Sequence, residues 1–272
     1  MSLSPELIRA SAAAVPRYTS YPTAAQFSDK TGEATARVWA SGIDATAPVS
    51  IYVHVPFCEK LCWYCGCNVT ISRNADRGDA YVDTIATEMV RVAEALGGAA
   101  PLTEVSLGGG SPNFLRPAAL TQLAGAISRY FAVAPDARRS IELDPRATTP
   151  EQIDALAAAG WNTVSIGVQD FDLQVQEIIG RHQSVAETAA LVKAVRAAGV
   201  DDLNMDLIYG LPRQTEESMA ITLDEVIALA PDRIALFGYA HVPDMRPQQR
   251  MLEKKGRLPD RYERAALVVA AS

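Results

Sequence analysis

The sequence lacks a long hydrophobic run and a strongly basic region. No stretch approaches the roughly 18 consecutive apolar residues that a membrane-spanning helix needs, and the first residues have no continuous apolar core of the signal-peptide kind. Acidic residues outnumber basic ones by 32 to 25, and the formal net charge of -7 disfavours a long nucleic-acid footprint. These absences predict a cytoplasmic protein that acts on a small molecule, without nucleic acid or membrane as partner.

Cysteine is also scarce, and all four cysteines lie between Cys58 and Cys67. In a reducing compartment this clustering favours metal ligation over disulfides. Cys58, Cys62 and Cys65 form a Cys-x3-Cys-x2-Cys array; iron–sulfur clusters usually take four cysteines, so three leave one iron open to another ligand. A structural zinc site is the alternative, although no second cysteine pair exists. Cys67 is either a fourth ligand or, as its spacing from Cys65 favours, a non-ligand.

Short β-branched runs alternate with Ala-, Leu- and Glu-rich segments of helical spacing. The predicted strands are 50–55, 103–107, 140–144, 163–168, 203–209 and 233–239, and the predicted helices are 78–96, 117–131, 150–159, 184–198 and 215–229. Thr149-Pro150-Glu151 suits a helix start, while Gly160 and Gly199 suit helix ends.

Strands that read as apolar on both faces and alternate with helices predict a parallel α/β sheet. We favour a partial TIM-like barrel of about six βα units over an open doubly wound sheet. The predicted divisions are an N-terminal arm (1–47), the barrel (48–242) and a C-terminal helical segment (243–272). Chemistry is expected at the carboxyl ends of the strands.

Polar residues interrupt the predicted strands where a site would lie. Tyr52 and His54 share one face of the first strand, as core residues or as functional ones. Glu142, Gln169 and Asp206 lie within or at the ends of later strands, where burial without partners is costly. Structural hydrogen bonds explain any one of them, whereas all three together favour a shared polar ligand.

A glycine-rich turn at 108–112 ends the second strand, and its backbone can approach a ligand closely because glycine lacks Cβ. Alone it is equally consistent with a tight connection. Phosphate binding is disfavoured because the Walker-type Gly-Lys-Ser/Thr is absent.

Several segments together resemble the oxygen-independent coproporphyrinogen III oxidases of the radical S-adenosylmethionine (SAM) superfamily. They are PRYTSYPTAAQF (16–27), YVHVPFCEKLCWYCGCN (52–68), GGGSPNFL (108–115), IELDPR (141–146), SIGVQDF (165–171), NMDLIYGLP (204–212) and FGYAH (237–241). The resemblance implies a four-iron four-sulfur cluster on Cys58, Cys62 and Cys65, with SAM, in two molecules, as the second cofactor. It further implies a 5′-deoxyadenosyl radical that starts oxidative decarboxylation of coproporphyrinogen III to protoporphyrinogen IX, with an electron donor, an electron acceptor and a monomeric protein.

The resemblance also implies roles for individual residues. Cofactor-binding positions are Tyr52, Gly109 and Glu142 for the first SAM, and Tyr64, Gly110, Ser111, Gln169, Arg181, Asp206 and Ala240 for the second. His54 is a candidate catalytic residue that handles a propionate or a proton, and Arg17 in the arm is a candidate partner for a substrate carboxylate.

A heme chaperone or heme-handling relative is the alternative function. The resembling oxidases are longer than this chain, which implies truncation before a C-terminal domain. On that expectation the apolar stretch Ala265–Ala271 is left exposed and turnover is impaired.

Overall fold

The computed structural model describes residue 6 and residues 22–23, 26–44, 46–97 and 101–271. Most of the predicted N-terminal arm, including Arg17, lies outside the described residues.

Six strands form one sheet whose order across the sheet matches the order along the chain. All neighbouring pairs run parallel. The strands are β1 (Val49–Val55), β4 (Pro101–Gly109), β5 (Ala132–Leu143), β6 (Thr163–Gln169), β7 (Asp202–Tyr209) and β8 (Arg233–Gly238), and a separate short pair consists of β2 (Phe57–Cys58) and β3 (Thr70–Ile71).

This strand order separates the two predicted architectures. A doubly wound sheet reverses its order at a switch point, whereas here each connection advances one strand in the same direction. With right-handed crossovers, all connecting helices then lie on one side of the sheet. The prediction of a partial TIM-like barrel of parallel βα units is therefore confirmed.

Five of the helices described begin after a residue whose side chain accepts hydrogen bonds from the first turn. The described helices are α1 (Glu33–Ser41), α2 (Asp76–Ala95), α3 (Pro117–Tyr130), α4 (Pro150–Ala158), α5 (Leu173–Ile179), α6 (Val185–Ala197), α7 (Glu216–Ala228), α8 (Arg250–Lys255) and α9 (Arg261–Ala270). Thr149 and Gln152 form a reciprocal capping box at the start of α4. Gly160 and Gly199, at the predicted helix ends, have φ values of 77° and 85°, a conformation that favours glycine.

The two faces of the sheet differ in polarity, which corrects the expectation of strands that are apolar on both faces. Ile141 and Met205 are fully buried in the core between sheet and helices. Their neighbours Glu142 and Asp206 point to the other face, because side chains alternate along a strand. The helix-free face is therefore a polar concave surface, as expected where a barrel interior holds a site rather than a packed core.

Charged residues bridge this concave face near the amino ends of the strands. Arg138 on β5 lies 3.7 Å from both Glu104 on β4 and Asp202 on β7, and Arg233 on β8 lies 2.9 Å from Asp202. The contact between β5 and β7 passes over β6, as expected when side chains converge inside a curved sheet. These pairs are partly exposed, so each contributes little stability on its own.

The final described helix packs better than the sequence suggested. α9 packs against α7 and β7, Leu267 is buried, and Val268 and Val269 are half-buried. Arg264 also donates to the carbonyl of Tyr239 at 3.0 Å. The expectation that Ala265–Ala271 exposes an apolar surface was wrong for its largest side chain, because α7 and β7 already cover it.

Among the described residues, no helix is both long enough and apolar enough to cross a bilayer.

Asp170, directly after β6, generates a prediction about pH and stability. The residue is fully buried, and burial raises the pKa of its carboxyl group to about 6 from 3.8, even though Gln214 and Thr222 donate to it. Between pH ~4 and ~6 the folded chain therefore binds more protons than the unfolded chain, so its free energy of unfolding falls as pH rises. The full effect is at most about 3 kcal/mol.

We expect the free energy of unfolding of Asp170→Asn, measured in urea, to lack this decline with pH. The substitution should also lower the stability of the variant by a contribution that does not depend on pH. Asp224→Asn, an exposed change on α7, should keep the wild-type pH dependence. Identical pH dependence in wild type and Asp170→Asn would contradict the raised pKa.

Candidate functional site

The cysteine loop is closed at its base by the short strand pair that follows β1. The backbone N–H of Thr70 donates to Pro56 at 2.6 Å, and that of Ser72 donates to Cys58 at 2.9 Å. The loop therefore leaves and returns at the carboxyl edge of β1. This position directly after β1 agrees with the prediction that the cysteine loop follows the first strand.

A distant segment holds the loop from the other side, and the sequence analysis did not find it. Gln249 is fully buried, and its amide donates to the carbonyls of Tyr64 at 2.9 Å and Ala240 at 3.1 Å. Gln248 donates to Cys65 at 2.9 Å, and Arg246 donates to Gly66 at 2.8 Å. Apart from the contact with Ala240, these hydrogen bonds join residues about 180 positions apart in sequence, and no local pattern marks them.

The four cysteines occupy distinct environments. Cys62 is buried with 8% of its surface exposed, Cys58 and Cys65 are half-buried, and Cys67 is exposed. Burial raises the pKa of Cys58 to about 11, and the neighbouring Cys65 and Cys62 add to that rise. Hydrogen bonding from Cys67 lowers the pKa of Cys65 to about 6, and the same contact raises that of Cys67.

The three predicted ligands therefore interact electrostatically across the loop. Within the described residues, however, no three His, Cys, Asp or Glu side chains converge on a point that holds a single metal ion. Cluster ligation by Cys58, Cys62 and Cys65 stays a prediction.

The glycine turn packs directly against the cysteine loop. Gly110 donates to Val55 and Ser111 to Phe57, both at 2.8 Å, and a Cβ on Gly110 would lie 2.6 Å from the Phe57 carbonyl oxygen. Gly109 has a φ of 110°. Glycine is thus required here for contact between two segments of the chain, and SAM binding by Gly109, Gly110 and Ser111 stays a prediction.

His54 is joined to Tyr52 and to the cysteine loop. Its Nε2 lies 2.9 Å from the carbonyl oxygen of Asn68, which only accepts, so Nε2 carries a proton. In the neutral ring Nδ1 is then an acceptor, and the Tyr52 hydroxyl donates to it at 3.3 Å. Both predicted residues lie on the concave face, as their spacing indicated.

Two carboxylates occupy the same concave face further along the sheet. Removal of water by surrounding protein raises the pKa of Glu142, and the charge of Asp206 adds to the rise. Burial also raises the pKa of Asp206, against the hydrogen bonds from Ser165 at 2.8 Å and Asn204 at 2.7 Å. The structure thus brings Glu142 and Asp206 close enough to influence one another.

Gln169 and Arg181 meet where β6 ends. Gln169 has a φ of 69°, an uncommon conformation for a residue with a side chain, and such strain concentrates at functional sites. A Cβ on Gly167 would lie 2.8 Å from Gln169 Nε2 and 3.2 Å from an Arg181 nitrogen. Glycine at 167 therefore leaves room for both predicted residues.

Arg181 is buried, with 6% of its surface exposed, rather than a solvated surface charge. It donates to both oxygens of Asp144 at 3.2 Å and to the Gly167 carbonyl at 2.6 Å. Its Nε is buried and has no hydrogen-bond partner among the described residues. An unpartnered buried donor is costly, so this nitrogen is a candidate to donate to an acceptor outside the described chain.

Asp144 and Arg146 complete this network, and the sequence analysis missed them although both lie in IELDPR. Arg146 donates hydrogen bonds to the Asp144 carboxylate from Nε at 2.9 Å and from a terminal nitrogen at 2.6 Å. Burial opposes ionisation, but the hydrogen bonds and charges of Arg146 and Arg181 lower the pKa of Asp144 to about 2. Removing one partner of a buried ion pair typically costs about 3–5 kcal/mol.

Comparisons with known proteins agree with this arrangement. A sequence profile of the radical SAM superfamily matches residues 52–226. The oxygen-independent coproporphyrinogen III oxidase of Bradyrhizobium diazoefficiens is 44% identical over 260 residues, covering 94% of this chain and 58% of that protein. The protein of the same name from Paracoccus denitrificans is 42% identical over 259 residues, covering 95% of this chain and 57% of that protein.

A solved structure is similar over nearly the whole chain. Coproporphyrinogen III oxidase from Escherichia coli, described as a radical SAM enzyme, superposes with a TM-score of 0.88 at 37% identity. The match covers 99% of this chain and 60% of that structure. The chain thus spans less than two thirds of the length of these relatives.

The environments of the cysteines generate a prediction about cluster content. After anaerobic reconstitution, Cys58→Ser, Cys62→Ser and Cys65→Ser should each fail to hold a stable cluster, because each removes one of three thiolate ligands. Cys67→Ser should retain it, since Cys67 is exposed and serves as the matched control. Iron and sulfide analysis with electron paramagnetic resonance (EPR) measures the outcome, and normal cluster content in Cys62→Ser contradicts the ligand assignment.

Proposed function

This chain belongs to the radical SAM superfamily, and from that premise we propose that it converts two propionates of coproporphyrinogen III to vinyl groups under anaerobic conditions. The product is protoporphyrinogen IX. The relatives that carry this activity in their names support the proposal. Each propionate loses a hydrogen atom from its β-carbon, carbon dioxide and one electron. An electron donor and an electron acceptor in the cytoplasm are therefore required as partners.

The observation that carries the proposal is the pairing of three cysteines with a cationic network on the carboxyl edge of the barrel. A cluster with thiolate ligands is anionic, and Arg146 and Arg181 bring two positive charges against one from Asp144. Arg146 and Arg181 each donate to Cys62 Sγ, at 3.7 and 3.8 Å. Cys58, Cys62 and Cys65 therefore fit a cluster with one open iron.

The polar groups around the loop also fit SAM, which carries an ammonium, a carboxylate and ribose hydroxyls. Arg181 offers a buried, unpartnered donor for a carboxylate, while Glu142 and Asp206 offer acceptors for an amine or hydroxyls. We propose that the remaining contacts come from residues at strand ends and on the loop: Tyr52, Tyr64, Gly109, Gly110, Ser111, Gln169 and Ala240. When bound, the cluster supplies an electron to SAM, and SAM supplies the carbon radical that abstracts hydrogen.

The chain's own residues then position the substrate. A cavity of about 520 Å³ lies beside the loop, and its lining includes His54, Cys67 and Arg246. We propose that the guanidinium of Arg246 attracts a propionate of the substrate. We also propose that the hydrogen bond from His54 Nε2 to the Asn68 carbonyl keeps the imidazole ring of His54 oriented toward the substrate.

An anaerobic product assay tests the function. Reconstituted chain, SAM, a low-potential reductant and coproporphyrinogen III should yield protoporphyrinogen IX and 5′-deoxyadenosine, and Cys62→Ser should yield neither. Cleavage of SAM without any vinyl product by wild-type protein contradicts the substrate assignment. Stoichiometric heme binding in that case would favour the heme-handling alternative.

The SAM contacts generate a separate prediction. Asp206→Ala and Gln169→Ala should weaken SAM binding about 2- to 13-fold, because losing one hydrogen bond costs about 0.5–1.5 kcal/mol. Iron content should stay nearly unchanged, since both residues are remote in sequence from the cysteine loop and neither is a predicted cluster ligand. Asp224→Ala on α7 is the control. Equilibrium binding of SAM to the reconstituted variants tests this prediction. Unaltered SAM affinity in both variants would remove the two residues from the proposed SAM site.

A further inference from the structure

The buried network beside Cys62 has more positive charge than its own ion pair requires. One arginine neutralises Asp144, yet two guanidiniums contact it. A surplus buried charge is unfavourable unless a negative partner offsets it. Both guanidiniums also contact Cys62 Sγ. A cluster ligand at this position is a thiolate, which supplies the negative partner.

The two arginines are distinguished by their remaining contacts. Among the described residues, the Arg146 side chain donates hydrogen bonds only to Asp144 and Cys62. Arg181 additionally donates to Gly167 and has a buried Nε without a partner, which we assigned to the SAM carboxylate. Arg146 is therefore the arginine of the two that has no buried donor left without a partner in the described chain.

The network is held rigidly in position. The Asp144 carboxylate receives a two-pronged contact from each guanidinium. Its backbone N–H and carbonyl are both bonded to the side chain of Asn113, at 3.2 and 3.1 Å. Asp144 is thus a positioning residue that directs two cations toward one sulfur.

The other two predicted ligands receive weaker donors. Cys58 contacts the Ser111 hydroxyl at 3.7 Å, and Cys65 accepts the backbone N–H of Cys67 at 3.4 Å. Only Cys62, among the three, receives charged donors in the part of the chain described. Hydrogen bonds and positive charge at cluster sulfurs favour the reduced, more negative state and raise its potential.

We propose that Arg146, positioned by Asp144, donates a charged hydrogen bond to the Cys62 thiolate and raises the reduction potential of the cluster before SAM binds. This inference rests on the proposed cluster ligation and is independent of the porphyrin substrate. It assigns Arg146 a role in electron entry rather than in contact with the substrate.

An EPR-monitored redox titration of the reconstituted chain without SAM tests the proposal. We expect Arg146→Gln to lower the equilibrium constant for cluster reduction at least tenfold, which is about 59 mV for a one-electron couple. Arg146→Lys keeps the charge but loses the planar fork, and its potential should lie between the two. Arg116→Gln is the control, because it removes the same charge and two exposed ion pairs with Asp76 and Asp79.

A measurement on the wild-type chain covers the case in which an Arg146 variant does not fold. Protein labelled with ¹⁵N in its arginine guanidiniums should show ¹⁵N coupling to the reduced cluster in pulsed EPR, with contributions from Arg146 and Arg181. Absence of that coupling, or wild-type potential in Arg146→Gln, overturns the proposal while leaving cluster ligation intact. A wild-type chain that cannot be reconstituted overturns the ligation itself and the proposal with it.

Discussion

The concave face of the sheet constrains the whole site, because polar side chains that converge on it need hydrogen-bond or ion-pair partners there. The side chains meet this constraint differently at the amino ends and at the carboxyl ends of the strands. Near the amino ends of the strands, charges pair with each other across Glu104, Arg138, Asp202 and Arg233. Near the carboxyl ends pairing is incomplete, and Arg181 retains a buried donor with no partner in the described chain. That difference supports our proposal that a polar ligand binds at the carboxyl ends of the strands.

The cysteine loop depends on contacts from both ends of the described barrel. The loop leaves β1, packs against the glycine turn after β4 and is held by Gln248 and Gln249, which follow β8. The first and last strands of the sheet are thus linked through the loop, although they do not pair directly. Displacement of either element is expected to disturb cysteine geometry, because three thiolates must share one cluster.

Local patterns were enough to predict most of the barrel and part of the site. β6 and β7 lie within one residue of their predicted bounds, because turn and cap signals bracket each strand. Helix α1 was missed because it lies in the segment predicted as an N-terminal arm, and none of its residues is buried. Asp144, Arg146 and Gln249 were missed for another reason: their roles depend on contacts between segments far apart in sequence, which spacing does not record.

The central claim is that one iron of a three-cysteine cluster is open and binds SAM directly. Pulsed electron–nuclear double resonance of the reduced wild-type chain with SAM labelled by ¹⁵N at its amine tests this claim. The account predicts ¹⁵N coupling large enough for direct coordination to the cluster. A reduced cluster whose spectrum is unchanged by SAM and shows no ¹⁵N coupling would contradict it.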